Sequence, residues 1–390
     1  TERLTQWTRV PYETKETRAL GYRPASWDYE PGVVRHISGE TWGQLFFQSP
    51  LRGQFEIVAQ RSTRPGHEVS ISYGMYSAEP NSQLDGLRVF GGLKSSKTSS
   101  GYLKIPQWDE VADLRIADFR IVNFRIIIDG PKIVTLVNGV QIHQQRLSPQ
   151  PDPWLTLQAS TPGNRGIVRN LQIIGKPEIP DEIRLLETAE LAGWRADLFG
   201  ESFSPDNDDE KAAWRRVGEE IRGSTPADKP ASSREGLLMY GRPMLEDGQM
   251  EWEAYYVPDK FEVHPTIGRT AYMIRPGGVQ LHQLTDGEWE SGGLLPDNES
   301  ALEPMGEIVL KEKGWNRYRL ALARDKLTLW LNGTVVAEQT IAEPAAARFF
   351  GLFRYIDKTG CRVRNVVYRG DWPKNLPGVE QQQLANPAGI

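Results

Sequence analysis

Glu251 and Glu253 stand two residues apart in GQMEWEAYY, and a pair of carboxyl groups is the minimum equipment for acid and base work on a glycosidic bond. On an extended strand such residues share a face, with Cα atoms about 6.5 to 7 Å apart. Side-chain rotation from there reaches both the about 5 to 5.5 Å separation of retaining glycosidases and the about 6.5 to 9.5 Å of inverting ones, so spacing leaves the stereochemistry open. A plain solvated strand face produces the same pattern, because Glu prefers water. Aligning Gly53 with Gly248 sets Glu56 in the place of Glu251 and Val58 in that of Glu253, which confines the acid pair to the second half of the chain.

His264 and His282 flank Arg269, Tyr272 and Arg275, a grouping able to hold hydroxylated or acidic sugars by charge-assisted hydrogen bonds, with either histidine available for proton transfer. The bland alternative for each histidine is a ring nitrogen satisfied locally. Tyr255, Tyr272 and Trp289 offer flat apolar faces for a sugar ring, although most of the 12 Trp and 13 Tyr must be core. The run SPDNDDEK, Ser204 to Lys211, gathers Asp206, Asn207, Asp208 and Asp209 as oxygen ligands of the kind calcium takes. Its spacing departs from the regular D-x-D-x-D-G loop, and acidic loops are usually just hydrated. No other metal or cofactor is expected: there is no Walker loop, dinucleotide fingerprint, HExxH helix or GxSxG elbow, and Cys361 is the single cysteine.

These groups have to be positioned by strands. Met250, Trp252, Ala254 and Tyr256 alternate with Gln249, Glu251, Glu253 and Tyr255, the period of two that marks a half-buried strand. YRLALARDKLTLWLNGTVVAEQ reads as an antiparallel meander, and Asn332-Gly333 and Asn138-Gly139 are hairpin signals because a type I′ turn needs φ > 0 at both central positions. Gly53 and Gly248 stand 195 residues apart (248 − 53), and so do Gly175 and Gly370 (370 − 175), which end IVRNLQIIG and CRVRNVVYRG. A long period present twice means duplicated domains and not a solenoid. The expected organisation is residues 1–178 as copy one, 185–375 as copy two and 376–390 as a flexible tail, with Pro177 and Pro180 marking the junction. The expected fold is all-β, two tandem antiparallel β-sandwich domains of jelly-roll type.

Composition narrows the function. The 390 residues carry 51 acidic and 46 basic side chains, a net charge of −5, which argues against nucleic acid as a partner. No run of about 18 apolar residues occurs, so membrane insertion is not expected. The chain begins with Thr1, without a signal-peptide pattern, and is expected to be a processed protein or excised segment.

Copy two reads W-x3-G-x2-I-x-G from Trp214 to Gly223, then a strand before Pro243, then GQMEWE, NG and VRN, an order that resembles the concanavalin A-like, laminin-G-like superfamily. HPTIGRTAYMIRPGGVQLHQLTDGEWE, His264 to Glu290, is similar to a bacterial family of uncharacterised jelly-roll domains distantly related to 3-keto-disaccharide hydrolase domains. Copy one keeps Trp27, Gly32, Gly53, Asn138-Gly139 and Val168-Arg169-Asn170 but lacks the HPTIGR segment. The resemblance implies a glycan or glycoconjugate partner and an extracytoplasmic address. It leaves three roles open: a carbohydrate-recognition pair within a glycan-processing system, a glycoside hydrolase using acidic residues of copy two, and a structural or adhesive scaffold.

Overall fold

A computed structural model describes residues 6–10, 26–30, 33–38, 43–62, 69–74, 76–81, 86–90, 101–104, 121–147, 150–159, 166–187, 191, 193–198, 214–224, 235–284, 298–303, 305–342 and 344–376. Among them the regular structure is β-strand, apart from one 3₁₀ turn at Ala345–Ala347, and all ladders within the sheets are antiparallel. The described residues form two compact units, one reaching Asp181 and taking in the chain again from Trp372, the other running from Glu182 to Asp371.

In the first unit a seven-stranded sheet runs Val140–Arg146, Lys132–Val137, Ile121–Asp129, Gln54–Ser62, Ile167–Gly175, Val33–Ser38, Ser26–Glu30. The second unit repeats that order as Thr334–Thr340, Lys326–Leu331, Gly314–Ala323, Gly248–Tyr256, Cys361–Gly370, Glu220–Gly223, Arg215–Val217, with Ile183–Arg184 added beside Cys361–Gly370. The smaller sheets correspond too. Trp7–Val10, Gln44–Phe47, Leu155–Ala159 and Val69–Tyr73 match Trp194–Leu198, Glu235–Tyr240, Phe350–Tyr355 and His264–Ile267. Among the described residues only the second unit then extends this sheet, with Thr270–Arg275, Gly278–Gln283 and Glu299–Leu302, whereas Ser77–Asn81, Gly86–Phe90 and Gly101–Lys104 make a separate three-stranded sheet.

Local chemistry explains the shared frame. The Asn-Gly turns have positive φ at both positions, 50° and 85° at Asn138 and Gly139 and 50° and 92° at Asn332 and Gly333, as the hairpin pattern requires. Each turn Asn also accepts the backbone N–H at the far end of the facing strand, Asn123 to Asn138 Oδ1 and Arg317 to Asn332 Oδ1, both at 3.0 Å. Asn170 and Asn365 sit at φ 48° and 54°, inside a register break in each copy.

These anchors correct the alignment of the central strands. Gly175 faces Phe55 and Gly370 faces Gly248, so Phe55 and not Gly53 is the counterpart of Gly248. Val58 then stands where Glu251 does, and Gln60 where Glu253 does. A slip of two residues preserves which side chains face inward, and this is why alternation alone could not detect it.

In the second unit Met250, Trp252, Ala254 and Tyr256 point into the core, with Trp252 stacked on Tyr318 at 5.3 Å and reaching Phe350 of the other sheet at 5.1 Å. The first unit packs Phe55, Ile57 and Ala59 the same way, with Phe55 edge-on to Tyr73 at 5.3 Å. Trp372 corrects the expected boundary at 375: it is buried edge-on to Trp154 at 5.8 Å and donates its indole N–H to Pro180 O at 2.9 Å, while Leu376 packs on the first unit's core. The rest of the expected tail, 377–390, lies outside the described residues.

One buried charge pair ties the second unit's strand ends. Arg242 gives two hydrogen bonds to Glu246 at 2.9 and 2.7 Å and one to the Tyr368 hydroxyl at 3.3 Å, and that hydroxyl donates to Glu246. Arg242→Ala strands the Glu246 carboxylate and is expected to cost about 3 to 5 kcal/mol of the second unit's stability in urea unfolding. A loss under about 1 kcal/mol would show that the pair is dispensable.

Candidate functional site

The sequence-nominated residues separate into two places. Glu251, Glu253 and Tyr255 lie on the outward face of the central strand Gly248–Tyr256, while the histidines and arginines lie on the other sheet. The two glutamates and the two histidines, each named above as candidates for proton transfer, therefore form no shared cluster.

On the outward face each carboxylate is already matched. Glu251 accepts from Arg317 at 2.6 Å, lies 3.3 Å from Arg369 and accepts from Gln249 at 3.1 Å. Glu253 accepts from Arg364 at 2.6 Å and from Asn365 at 3.1 Å. The rings are matched too: Arg362 lies over Tyr255 at 4.8 Å, Arg364 over Trp315 at 4.0 Å and Arg319 over Trp330 at 3.6 Å. A groove of about 480 Å³ passes Glu251, Arg317, Arg319 and Trp330, but its carboxylate and indole are engaged by guanidinium groups.

The first unit explains Glu253. Gln60, its counterpart, accepts from Asn170 at 3.4 Å as Glu253 accepts from Asn365. An amide oxygen thus makes the same contact across the same register break, so the interaction holds the bulge and needs no acid.

The second place is the far side of the sheet that carries His264. Strand alternation puts Phe350 and Leu352 toward the main core and Phe353 away from it, and His264 is directly opposite Phe353. Leu237, Met239, Ala271, Met273, Leu284 and Phe353 form a separate buried cluster on that side. Arg269, Arg275 and His282 share its parity, whereas Tyr272 points the other way. Tyr272 is fully buried and donates its hydroxyl to Gln339 at 2.9 Å, so its expected role as a sugar platform is replaced by a core role. Arg269 donates to Leu284 O at 2.6 Å and so clamps its own hairpin. Trp289 and the Ser204 to Lys211 run lie outside the described residues, and among the described ones no group of three or more His, Cys, Asp or Glu is arranged to hold a metal ion.

Two features distinguish this side. The first is a polar pocket of about 380 Å³ lined by Glu262, His264, Arg275, Tyr355, Asp357 and Thr359, among others. His264 Nδ1 accepts the Ile274 backbone N–H at 3.3 Å, which leaves the proton on Nε2 and makes that nitrogen a donor. Burial, then Arg275 and His282, push its pKa down to about 3, so the ring stays neutral. Arg354 lies beneath, buried, donating to Ile356 O at 3.4 Å and to Thr359 O, and so shapes the pocket's floor.

The second is a chain of three side chains that the sequence did not single out as a set. His282 Nε2 is 2.6 Å from Glu235 Oε1, and its Nδ1 is 3.3 Å from Glu299 Oε1, to which the Tyr355 hydroxyl donates at 3.4 Å. One signal was present: Glu235 heads the strand EGLLMY, in which every residue is buried. A carboxylate at the head of a wholly buried strand needs a partner.

The residues from 229 to 375 match the model of a domain of unknown function (DUF1583_N), and those from 125 to 216 match a protein family of unknown function (DUF1581). No curated protein matches the chain. Among solved structures, the carbohydrate binding module CBM66 from Bacillus subtilis is 10% identical, with 46% of this chain and 96% of that one covered at a TM-score of 0.30. The galectin LEC-6 of Caenorhabditis elegans is 10% identical over 38% and 94%, at 0.24. A native glycosidic hydrolase is 11% identical over 50% and 96%, at 0.32.

Two outcomes follow. Glu253→Gln is expected to keep the bulge and to lower the melting midpoint by no more than about 4 °C, the shift that about 1 kcal/mol produces in a domain of this size; a collapse of the second unit would contradict the structural role. For His264, the unfolded state takes up a proton below about pH 6.5 that the folded state refuses down to about pH 3, so its stabilising share is present above pH 6.5 and is lost as pH falls through that window. Between pH 6.5 and 5 the wild-type chain should lose about 2 kcal/mol more than His264→Gln, measured by urea unfolding, and equal losses would refute a buried neutral ring.

Proposed function

We propose that the second unit is a carbohydrate-recognition module of concanavalin A-like kind and that its sugar site is the pocket of His264, Arg275, Glu262 and Asp357. The observation that carries this is the pocket's chemistry. His264, a neutral ring with its proton on Nε2, and the Arg275 guanidinium share about 380 Å³ with the carboxylates of Asp259, Glu262 and Asp357, near the small end of the roughly 300 to 1,000 Å³ range of ligand pockets. Donors and acceptors set close together suit neighbouring hydroxyls, each of which both gives and accepts a hydrogen bond. Mixed charge favours a polar, uncharged saccharide over a strongly acidic one. Arg275 is 4.0 Å from Glu262 and its side chain is 43% exposed, so it is loosely held and can turn to a ligand.

The first unit serves as the module's duplicate: among the described residues its four-stranded sheet, WTRV, QLFF, LTLQA and VSISY, carries no histidine and no acid. On this reading the pair works on glycans outside the cytoplasm, within a larger glycan-processing system.

The test is calorimetric titration of the full chain with a panel of neutral oligosaccharides. A ligand that binds should lose about 10- to 100-fold in affinity in Arg275→Ala and a similar amount in His264→Gln, while Trp330→Ala on the opposite sheet changes nothing. Binding that depends on Trp330 and ignores Arg275 would move the site to the other sheet.

A further inference from the structure

The same side of the second unit holds a feature that sugar binding does not use. Glu235 and His282 are buried, with side-chain exposures of 0% and 1%, whereas the Glu299 side chain is 38% exposed. Glu235 and His282 share a hydrogen bond of 2.6 Å and His282 Nδ1 lies 3.3 Å from Glu299 Oε1, so the three groups run as a line of close contacts from the interior to solvent. Their neighbours Leu237, Met239 and Phe353 are apolar, and an apolar pair in place of Glu235 and His282 would serve a purely structural end at least as well, because desolvating an ion pair offsets much of its attraction.

The geometry sets what the group can do. An imidazole with a carboxylate beside each nitrogen can hold a proton toward either one, and here the Glu235 side is closed by a hydrogen bond while the Glu299 side is a 3.3 Å contact. The two carboxylates lie off opposite ring nitrogens and point at the ring, not at a common centre, which is not the layout of a chelate. Tyr355 joins the two features: its ring lies 5.7 Å from His282, its hydroxyl donates to Glu299, and it lines the pocket of His264 and Arg275. A saccharide seated in the pocket and extending past Tyr355 meets the exposed carboxyl of Glu299.

We infer that this site is hydrolytic, with Glu299 as the acid that reaches the glycosidic oxygen and His282 and Glu235 as positioning residues that hold the Glu299 carboxyl in place. The inference rests on the pocket being the sugar site. Glu299 in its carboxylic acid form gives its proton to the glycosidic oxygen as the C1–O bond breaks, and the leaving sugar departs as an alcohol. Water adds to C1 and gives its second proton to the Glu299 carboxylate, which restores the acid. An acetal and water become a hemiacetal and an alcohol, with no oxidant or reductant. Among the described residues the four strands of the copy-one sheet carry none of the three groups, and the inference concerns the second unit.

The experiment incubates the full chain with the oligosaccharides used for binding, together with α- and β-linked relatives, and measures new reducing ends by mass spectrometry beside calorimetric affinity. The wild-type chain is expected to release product. Glu299→Gln should lower kcat by about 100- to 10,000-fold with KM within about threefold, and Glu299→Asp should recover part of the rate. Glu235→Gln should lower kcat by about tenfold or more at unchanged KM, a split that a merely structural carboxylate would not give. Should Glu235→Gln fail to fold, Glu299→Gln at the solvent edge decides the matter by itself. Binding without product across the panel overturns the hydrolytic inference and leaves the recognition reading standing. An unchanged rate in Glu299→Gln overturns it as well, and neither binding nor product overturns both.

Discussion

In the second unit the strands His264–Ile267, Thr270–Arg275 and Phe350–Tyr355 are buried along nearly their whole length on both faces, and this double burial governs the candidate site. A sheet with one wet face can leave its polar side chains to water. A sheet with two dry faces cannot, so each polar group on it must find a partner inside the protein or be forced neutral. His264 meets the demand by losing its charge and accepting a backbone N–H. His282 meets it by lying between two carboxylates. The polar pocket opens where Arg275, Glu262 and Asp357 bring charge to the edge of that buried face.

The opposite sheet obeys the ordinary rule. Its outward face is wet, and Glu251, Glu253, Tyr255, Trp315 and Trp330 are woven with arginines into a surface where each carboxylate and each ring has a guanidinium. Such a face is well suited to staying as it is. Gln60 in the first unit makes the Glu253 contact without a charge, which moves Glu253 from chemistry to architecture.

What the sequence could reveal followed the same division. The duplication, the alternating central strands and the Asn-Gly hairpins were legible because each is a local pattern with a local cause, and the paired strand orders of the two units agree with them. The alignment slip between Gly53 and Phe55 was invisible because a shift of two leaves every side chain on its own face. Tyr272 was misplaced because TAYMIR is buried on both sides and shows no alternation from which a face could be read. Glu235 and His282 are 47 residues apart, and Glu299 joins them only through the pairing of the strands Gly278–Gln283 and Glu299–Leu302, so no spacing rule could assemble the set.

The most direct measurement of where this chain meets its ligand is a crystal structure of the full chain with an oligosaccharide that binds it. Sugar density is expected in the pocket beside His264 and Arg275, with a hydroxyl oxygen accepting from His264 Nε2 and the chain of rings running past Tyr355 toward Glu299. Sugar lying instead along the groove of Glu251, Arg319 and Trp330, with the His264 pocket empty, would contradict that placement and return the function to the wet face.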